Sequence, residues 1–477
     1  MEESIRSKSQ PLSLTDAIIL GIQNNPQLKQ SFYVIQQYEW DLIAAQRQWL
    51  PTLTMSNGSP FIGYTWSTFV QNQYGINNRK KSDSSSVFNR IPISSSSLFN
   101  QAYKSKESNF QPGLVFSWNF IDLTRQPDIN SASEALSQQK LLFNVSARTL
   151  IASIQSSYFK LQQNLQLISS FKEFYQINRR QLEILEAQQS IGMSTVLDTE
   201  QTRSQIFNQL NQLVSYVQDF IQTSSDLSKL LALSDDSFIV PSEPASISGS
   251  WMMSLDETLK LAVEQREEIQ ASLAAARSAK WSGISLMRSY LPVVQLTANG
   301  SLDFSNGYSH VPIDQSPGTA LTENKTWTGS AGIGFTWSIF DGGISAANAQ
   351  SSYAQSRQNI ADAEDQRLSV VNQVESSFAS METSKVSISS AHSAYSSANH
   401  AHTAARARLV AGVGDITSVV QSMQLLSIAA QQVASALYSY NTSISDLYRY
   451  TATWPHDTYA LIDSRLNSLQ NRSTSTN

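Results

Sequence analysis

The chain has 477 residues, of which 41% are hydrophobic and 15% charged, with a formal net charge of -5. This balance argues against a general nucleic-acid binder, because neutralising phosphates needs clustered Lys and Arg. The absence of cysteine excludes a disulfide scaffold, a thiolate metal site and a cysteine nucleophile. The five scattered histidines make a zinc enzyme improbable. We expect no metal site and no cofactor.

The sequence has no segment that could serve as a transmembrane helix, since no stretch approaches 18 consecutive apolar residues. The first residues, MEESIRSKSQPLSL, lack the apolar core of a signal peptide. Either the protein is cytosolic, or a targeting segment is absent from this chain or its start is misplaced.

The two halves of the chain share a series of landmarks in the same order. Residues 14–51 recur as residues 255–292, at an offset of about 241. Later landmarks, such as Gly192 and Gly412, recur at an offset of about 220. Ordered self-similarity predicts two tandem structural repeats. The predicted segments are repeat 1 (12–233), an inter-repeat equatorial linker (234–253), repeat 2 (254–454) and a polar C-terminal tail (455–477).

Each repeat is predicted to contain a helix, a pair of strands and a long helical hairpin. Pro51 and Pro292 stop the first helix of each repeat, and only in repeat 1 do we expect a break in that helix, near Asn25-Pro26. The hairpin segments are almost free of Gly and Pro and show heptad spacing. The predicted strands span about 52–70, 110–121, 293–304 and 329–340, and the predicted hairpin tips lie at 192–195 and 412–415.

The second strand of each predicted pair alternates large apolar residues with mostly small polar ones. Phe116, Trp118 and Phe120 form the apolar series in repeat 1, and Phe335 and Trp337 hold matching positions in repeat 2. Periodicity alone permits a soluble sheet with one packed face. Runs of about nine to eleven residues, apolar on one face and wet on the other, favour strands that cross a bilayer with these five aromatics facing lipid.

Two strands per repeat give four per chain, which are too few to close a barrel with a usable lumen. An open sheet edge is not tolerated in lipid, so a membrane sheet must be completed by other copies. Three copies would supply about twelve strands, within the range of membrane barrels.

Together these residues resemble the TolC family of outer-membrane factors, the exit ducts of Gram-negative efflux pumps and type I secretion systems. Residues 14–17 with Asn25-Pro26 are similar to the family's first equatorial helix. Residues 337–343 resemble its strand-to-helix signature, and residues 192–201 and 412–421 resemble its helix-turn-helix tips. The resemblance extends over about residues 12–455.

The resemblance implies a mixed membrane protein, a homotrimer whose 12-stranded β-barrel lies in outer-membrane lipid and is continued across the periplasm by a long α-helical coiled-coil barrel. It implies a passive duct, not an enzyme, that docks onto a periplasmic adaptor and an inner-membrane transporter. Secretory targeting is then expected, so the missing signal peptide suggests mature-form numbering or a shortened open reading frame. A soluble periplasmic or cytoplasmic coiled-coil scaffold is the alternative function.

In the TolC family, acidic residues just after the tip turns ring the periplasmic aperture and help to keep it shut. The matching position in repeat 1 is Asp198, with Glu200 nearby. In repeat 2, Ser418 and Gln421 stand where the best-known members carry aspartates, and Asp415 is the acid near that turn. The alternative is that Asp198 and Asp415 merely stabilise helix N-termini.

The resemblance also makes the hairpin tips candidate contacts for the adaptor. The candidate residues are Gly192, Met193, Gly412, Val413 and Gly414. For the glycines, the requirement of a tight turn is a sufficient explanation without any partner.

Overall fold

The computed structural model describes residues 9–72, 100–233, 238–313 and 316–453. The helices within these ranges are α1 (Leu14–Asn24), α2 (Pro26–Arg47), α3 (Arg125–Ser190), α4 (Val196–Leu231), α5 (Leu255–Gln265), α6 (Glu267–Arg288), α7 (Ile344–Val410) and α8 (Ile416–Tyr450). The strands are β1 (Ser9–Leu12), β2 (Thr52–Asn72), β3 (Asn100–Ile121), β4 (Phe238–Pro241), β5 (Val293–Ile313) and β6 (Ser316–Thr336).

The chain divides into two compact units, each assembled from separate stretches of sequence. The helical unit comprises Met1–Ile43, Asn130–Gly283 and Gln350–Asn477. The sheet unit comprises Ala44–Ile129 and Ile284–Ala349. Both units therefore draw on both halves of the chain.

Two long helical hairpins, α3–α4 and α7–α8, make up most of the helical unit. α3 and α7 contain 66 and 67 residues, so each is about 100 Å long at about 1.5 Å per residue. α3 begins at Arg125. The preceding turn is held by the Asp122 carboxylate, which accepts the N–H of Thr124 at 3.0 Å.

Buried apolar clusters hold the helical unit together. One cluster joins the first helices to the base of α3 and α4 and includes the fully buried Ile18, Phe143 and Tyr158. A second packs Phe171 of α3 against Met423 of α8. Truncating a buried aromatic of this kind to Ala costs about 3–5 kcal/mol, so these contacts fix the pairing of the hairpins.

The first helix of each half is interrupted at a residue whose side chain reaches a distant carbonyl. Between α1 and α2, Asn25 donates through Nδ2 to the carbonyl of Leu230 at 2.8 Å. Between α5 and α6, Arg266 donates through Nη1 to the carbonyl of Tyr450 at 3.4 Å. The expectation of a break in repeat 1 alone is therefore wrong. The second break contains no proline. It is fixed instead by this tertiary contact and by the ion pair of Arg266 with Glu268 at 2.7 Å.

The sheet unit contains a four-stranded antiparallel sheet in the order β2-β3-β5-β6. Its strands have 21 or 22 residues and are longer than the alternating pattern predicts. β3 begins at residue 100 rather than 110, and β5 continues to residue 313 rather than 304. β6 covers 316–336 rather than 329–340. Backbone pairing with the neighbouring strand extends each strand through residues that do not alternate between apolar and polar. Thr65 opposite Glu107 is an example.

An indole hydrogen bond closes the strand-to-helix junction in each half. Trp118 donates through Nε1 to the carbonyl of Trp49 at 2.9 Å, and Trp337 donates to the carbonyl of Tyr290 at 2.9 Å. Because β6 ends at Thr336, Trp337 lies beyond the strand and not within it as expected. Its hydrogen bond is made as the chain leaves the sheet.

Within the described ranges, no helix combines the length and the apolar character needed to cross a membrane. The predicted linker 234–253 contains β4, which pairs in parallel with β1. Residues 234–237 of that linker and the predicted tail 455–477 lie outside the described residues.

Candidate functional site

The first predicted tip is the turn between α3 and α4. Gly192 adopts a positive φ of 77°, a conformation that glycine enters without steric cost. The N–H of Met193 donates to the carbonyl of Gln188 at 2.8 Å, which satisfies the end of α3 in the manner of a Schellman cap. The turn thus requires the glycine and presents Met193, which is 74% exposed.

The predicted gate residue Asp198 belongs to a capping box at the start of α4. The N–H of Asp198 donates to Thr195 Oγ1 at 3.2 Å, and the N–H of Thr195 donates to Asp198 Oδ2 at 2.9 Å. The hydroxyls of Thr195 and Ser194 also donate to Oδ2, at 2.7 and 3.4 Å. These bonds, chiefly from the Thr195 side chain, lower the pKa of Asp198. The carboxylate is therefore kept ionised and oriented.

The second predicted tip, between α7 and α8, has the same turn geometry. Gly412 has a positive φ of 73°, and the N–H of Val413 donates to the carbonyl of Arg408 at 3.0 Å. A Cβ on Gly414 would lie only 2.9 Å from the backbone nitrogen of Leu409. Gly412 is thus needed for its backbone angle and Gly414 for its lack of a side chain.

The other predicted gate residues have separate roles in the structure. Asp415 is the N-cap of α8, and its Oδ1 accepts the N–H of Ser418 at 2.6 Å. Ser418 therefore contributes a backbone group to this contact. Glu200 forms an ion pair with Arg203, and Gln421 is exposed. Apart from the contact between Asp415 and Ser418, no hydrogen bond or ion pair joins any two of these five described residues.

Near the tips, the two hairpins contact each other through residues that the sequence analysis did not select. Leu185 of α3 packs with Ile416 and Val419 of α8. Gln424 donates through Nε2 to Oε1 of Gln205 at 3.3 Å. Glutamine is too common in these helices for either amide to be singled out from the sequence.

Both turns are bordered by apolar side chains that the single chain leaves exposed. These residues, each between 64% and 80% exposed, are Ile191, Met193, Val196, Leu197, Val410 and Val413. Clustered apolar exposure on an otherwise polar helix end is typical of a contact surface. We call these six residues the tip surface.

The register of the sheet places most of its large apolar residues on one face. Leu53 lies opposite Phe116, and Leu296 lies opposite both Trp118 and Ile333. Directly paired residues share a face. The exposed members of this apolar face include Leu53, Met55, Ile62, Tyr64, Trp66, Leu114, Trp118, Trp327, Ile333 and Phe335. An apolar surface of this extent needs an apolar environment from outside the chain.

The five predicted lipid-facing aromatics differ in exposure and contacts. Phe335 is 71% exposed, whereas Phe116 and Phe120 are half-buried. Trp118 and Trp337 are partly exposed and hold the junctions through their indole N–H groups. The tryptophans thus combine an apolar ring with an anchored polar end, a combination enriched at membrane interfaces.

The opposite face of the sheet is polar. Val115 lies opposite Thr54 and Asn299, and Asn299 lies opposite Ser330. A groove of about 400 Å³ on this side of the sheet is bordered by Gln111, Asn299, Ser301, Asp303, Thr326 and Thr328, among others. One sheet thus separates an apolar surface from a wet one.

His402 is a buried histidine of α7. It lies between α7 and α8, with Nδ1 at 3.2 Å from Oγ of Ser422. Burial, and secondarily the charge of Arg406, lower its pKa to about 4. Among the residues that the structure describes, no group of three or more His, Asp or Glu side chains is placed to hold a metal ion.

The fold is that of solved outer-membrane channels. It matches the outer-membrane channel OprN with a TM-score of 0.70 at 14% identity, over 94% of both chains. It matches the CmeC outer membrane channel of Campylobacter jejuni with a TM-score of 0.68 at 18% identity, over 95% of this chain and 89% of CmeC. In sequence, 343 residues are 23% identical to the outer membrane protein TolC of Escherichia coli (strain K12); they cover 69% of this chain and 66% of TolC.

The model of the family described as outer membrane efflux protein matches residues 20–233 and 258–453. These ranges make up most of the chain, so the protein belongs to the outer membrane efflux protein family. The family resemblance stated from the sequence is confirmed, and this family is one of channels.

Proposed function

We propose that the protein is a passive outer-membrane exit duct of a tripartite efflux pump or a type I secretion system. The observation that carries this proposal is the sheet with one exposed apolar face and one polar face. Such a sheet suits lipid on one side and water on the other. A soluble coiled-coil scaffold, the alternative function, gives no reason for apolar exposure across four long strands.

The duct is assembled as a homotrimer. β2 and β6 are the edge strands of the described sheet, and an unpaired edge within lipid leaves backbone groups without partners at a cost of several kcal/mol each. Pairing β6 of one copy with β2 of the next closes a barrel of about twelve strands from three copies. The long hairpins then form the α-helical barrel that continues it across the periplasm.

The duct is built from two tandem repeats, residues 12–233 and 254–454, joined by the linker 234–253. Support comes from the two helix breaks. Asn25 and Arg266 occupy equivalent positions, and each donates to an equivalent carbonyl, of Leu230 and of Tyr450 respectively. Different side chains thus make the same contact, as expected after divergence of duplicated halves.

The tip surface is the docking site for a periplasmic adaptor, which in turn couples the duct to an inner-membrane transporter. Met193 and Val413 supply exposed side chains, while Gly192, Gly412 and Gly414 shape the turns. The transporter supplies the energy, so the duct needs no catalytic step of its own. The protein is accordingly placed in the outer membrane with its hairpins in the periplasm.

The periplasmic aperture is lined near the tips by Asp198, Glu200, Asp415, Ser418 and Gln421. Asp198 is the strongest candidate, because its lowered pKa keeps the carboxylate ionised. A ring of three such charges in a narrow pore attracts cations. Asp415 caps α8, so its charge and its capping role must be separated by substitution.

Membrane fractionation followed by planar-bilayer recording tests the proposed function. The protein is expressed with a secretory signal and is expected to pellet with outer membranes, to migrate as a heat-resistant trimer and to conduct ions. Recovery in the soluble fraction, with no conductance after reconstitution, would contradict the proposal and favour the scaffold.

A further inference from the structure

We propose that Asp303 is a selectivity residue of the barrel, at which three carboxylates, one from each copy, form a negative ring that favours cationic cargo over anions. The inference rests on the proposed function, because the ring exists only if three copies close a barrel. It concerns the membrane segment, far in sequence from the aspartates at the hairpin tips.

The lysines whose side chains the structure describes in the sheet lie on the apolar face. Lys106 lies opposite Trp66, and Lys325 lies opposite Phe304, so both lysines are on the apolar face. Glu323 is two residues from Lys325 and forms an ion pair with it at 3.0 Å.

The polar face has a different charge balance. Asp303 lies opposite Thr326 on this face, and Glu107 lies opposite Gly307, four residues further along β5. Among the side chains that the structure describes, the polar face carries no Lys or Arg. The described charged residues on the polar face, Asp303 and Glu107, are therefore both acidic.

Asp303 has one carboxylate oxygen held in place and one without a hydrogen-bond partner among the described residues. Gln111 donates through Nε2 to Oδ2 at 2.9 Å, which orients the carboxylate across β3 and β5. Oδ1 is shielded from solvent and has no hydrogen-bond partner among the described residues. Asp303 borders the groove formed with Ser301 and Thr328. An ionised oxygen in this position is stabilised by a cation that enters the groove.

Asp303 also lies where the apolar series on the other face of the sheet meets its charged residues. It is in the middle of β5, and its neighbours Leu302 and Phe304 face the opposite side, where Leu302 is paired with Trp327 and Phe304 with Lys325. The Phe304 ring stacks with that of Phe110 at a centroid distance of 6.0 Å. Because Asp303 is on the polar face, its carboxylate faces the lumen of the proposed barrel, and charges on a barrel lumen tune selectivity.

The test is the reversal potential of reconstituted trimers under a KCl gradient. In Asp303→Asn we expect the cation-to-anion permeability ratio to fall by about twofold or more at low salt. The difference from wild type should shrink at high salt, because the Debye length falls from about 10 Å at 0.1 M to about 3 Å at 1 M. Glu323→Gln removes the same charge from the apolar face and should leave the ratio unchanged.

A second variant covers the case in which Asp303→Asn does not assemble. Ser301→Lys places a positive charge on the same face two residues away, and it should lower the ratio by at least as much. Heat-resistant trimers on a gel confirm assembly for each variant. Wild-type ratios in an assembled Asp303→Asn or Ser301→Lys channel would overturn the role of Asp303 while leaving the duct intact. Absence of any conductance from wild type would remove the proposed duct and this inference with it.

Discussion

The hydroxyl of Tyr290 donates a hydrogen bond of 2.9 Å to Oδ1 of Asp341, which ties the turn after α6 to the turn before α7. The same carboxylate accepts the N–H groups of Gly343 and Ser345, both at 2.8 Å. Trp337 completes the junction by donating to the Tyr290 carbonyl. The turn from sheet to helix is therefore built around one carboxylate.

Replacing that carboxylate should loosen the start of α7. We expect Asp341→Ala to increase hydrogen–deuterium exchange of the amides at 343–347, because Gly343 and Ser345 lose their acceptor. Asp365→Ala removes an exposed aspartate from the middle of the same helix and is the matched control. Equal protection in the two variants would show that Asp341 does not hold the junction.

Lowering the pH should destabilise this junction only below the ordinary pKa of an aspartate. Hydrogen bonds from Ser345 hold the pKa of Asp341 well below its ordinary value. When folding lowers the pKa of a carboxyl group, the stabilisation is fully present above the pKa of the unfolded state, about 3.9. This stabilisation is lost as the pH falls through the pKa of the folded state. Protection factors at 343–347 should therefore persist at pH 4. Loss of this protection between pH 6 and 5 would contradict a lowered pKa of Asp341.

At the first tip, substitutions can distinguish the charge of Asp198 from its role in the capping box of α4. Asp198→Asn keeps an acceptor oxygen for Thr195 but removes the charge, so we expect weaker cation selectivity and weaker block by multivalent cations in planar bilayers. Thr195→Ala keeps the charge and removes the N-cap, at a cost of about 1 kcal/mol of helix stability. If Asp198→Asn behaves like wild type in selectivity and block, its carboxylate is a cap and not part of a gate.

Neighbouring residues of β3 test which face of the sheet meets lipid. Leu114 is 53% exposed on the apolar face, while Val115 lies on the polar face opposite Thr54. Leu114→Arg should destabilise the barrel by about 2–4 kcal/mol if it lies near the bilayer midplane, whereas Val115→Arg should be tolerated. Unfolding in urea from reconstituted vesicles measures the difference. Equal destabilisation by both substitutions would count against the assigned faces.

His402 should make the second hairpin sensitive to moderate acid. Its folded pKa of about 4 lies below the unfolded value of about 6.5, so the unfolded state binds more protons between these values. Stability therefore falls as pH drops from about 6.5 towards 4. His402→Gln should flatten this part of the thermal-midpoint profile measured by circular dichroism, and His400→Gln, an exposed control, should not. Parallel profiles for wild type and His402→Gln would exclude this effect.

The sequence predicts an element well when its signal is local. The alternating run that contains Phe116 and Trp118 marks a strand because each residue's face follows from backbone geometry alone. Gly192 and Gly412 mark turns because a positive φ strongly favours glycine. A feature that depends on a single backbone angle or on a short residue period can therefore be predicted from the sequence alone.

Features set by distant contacts escape sequence reasoning. The break at Arg266 depends on the carbonyl of Tyr450, which lies at the end of another helix. The extension of β3 back to residue 100 depends on its partner strands, since Lys106 and Glu107 interrupt the apolar pattern. The burial of His402 depends on how α7 packs against α8, which the helical period of α7 alone does not determine.

The most direct measurement is the stoichiometry of the protein released from membranes, by native mass spectrometry in detergent micelles. A single species with three copies of the chain is the expected result, since only neighbouring protomers can pair the exposed edges of β2 and β6. A one-chain species that stays dispersed in buffer after the detergent is removed would contradict the account.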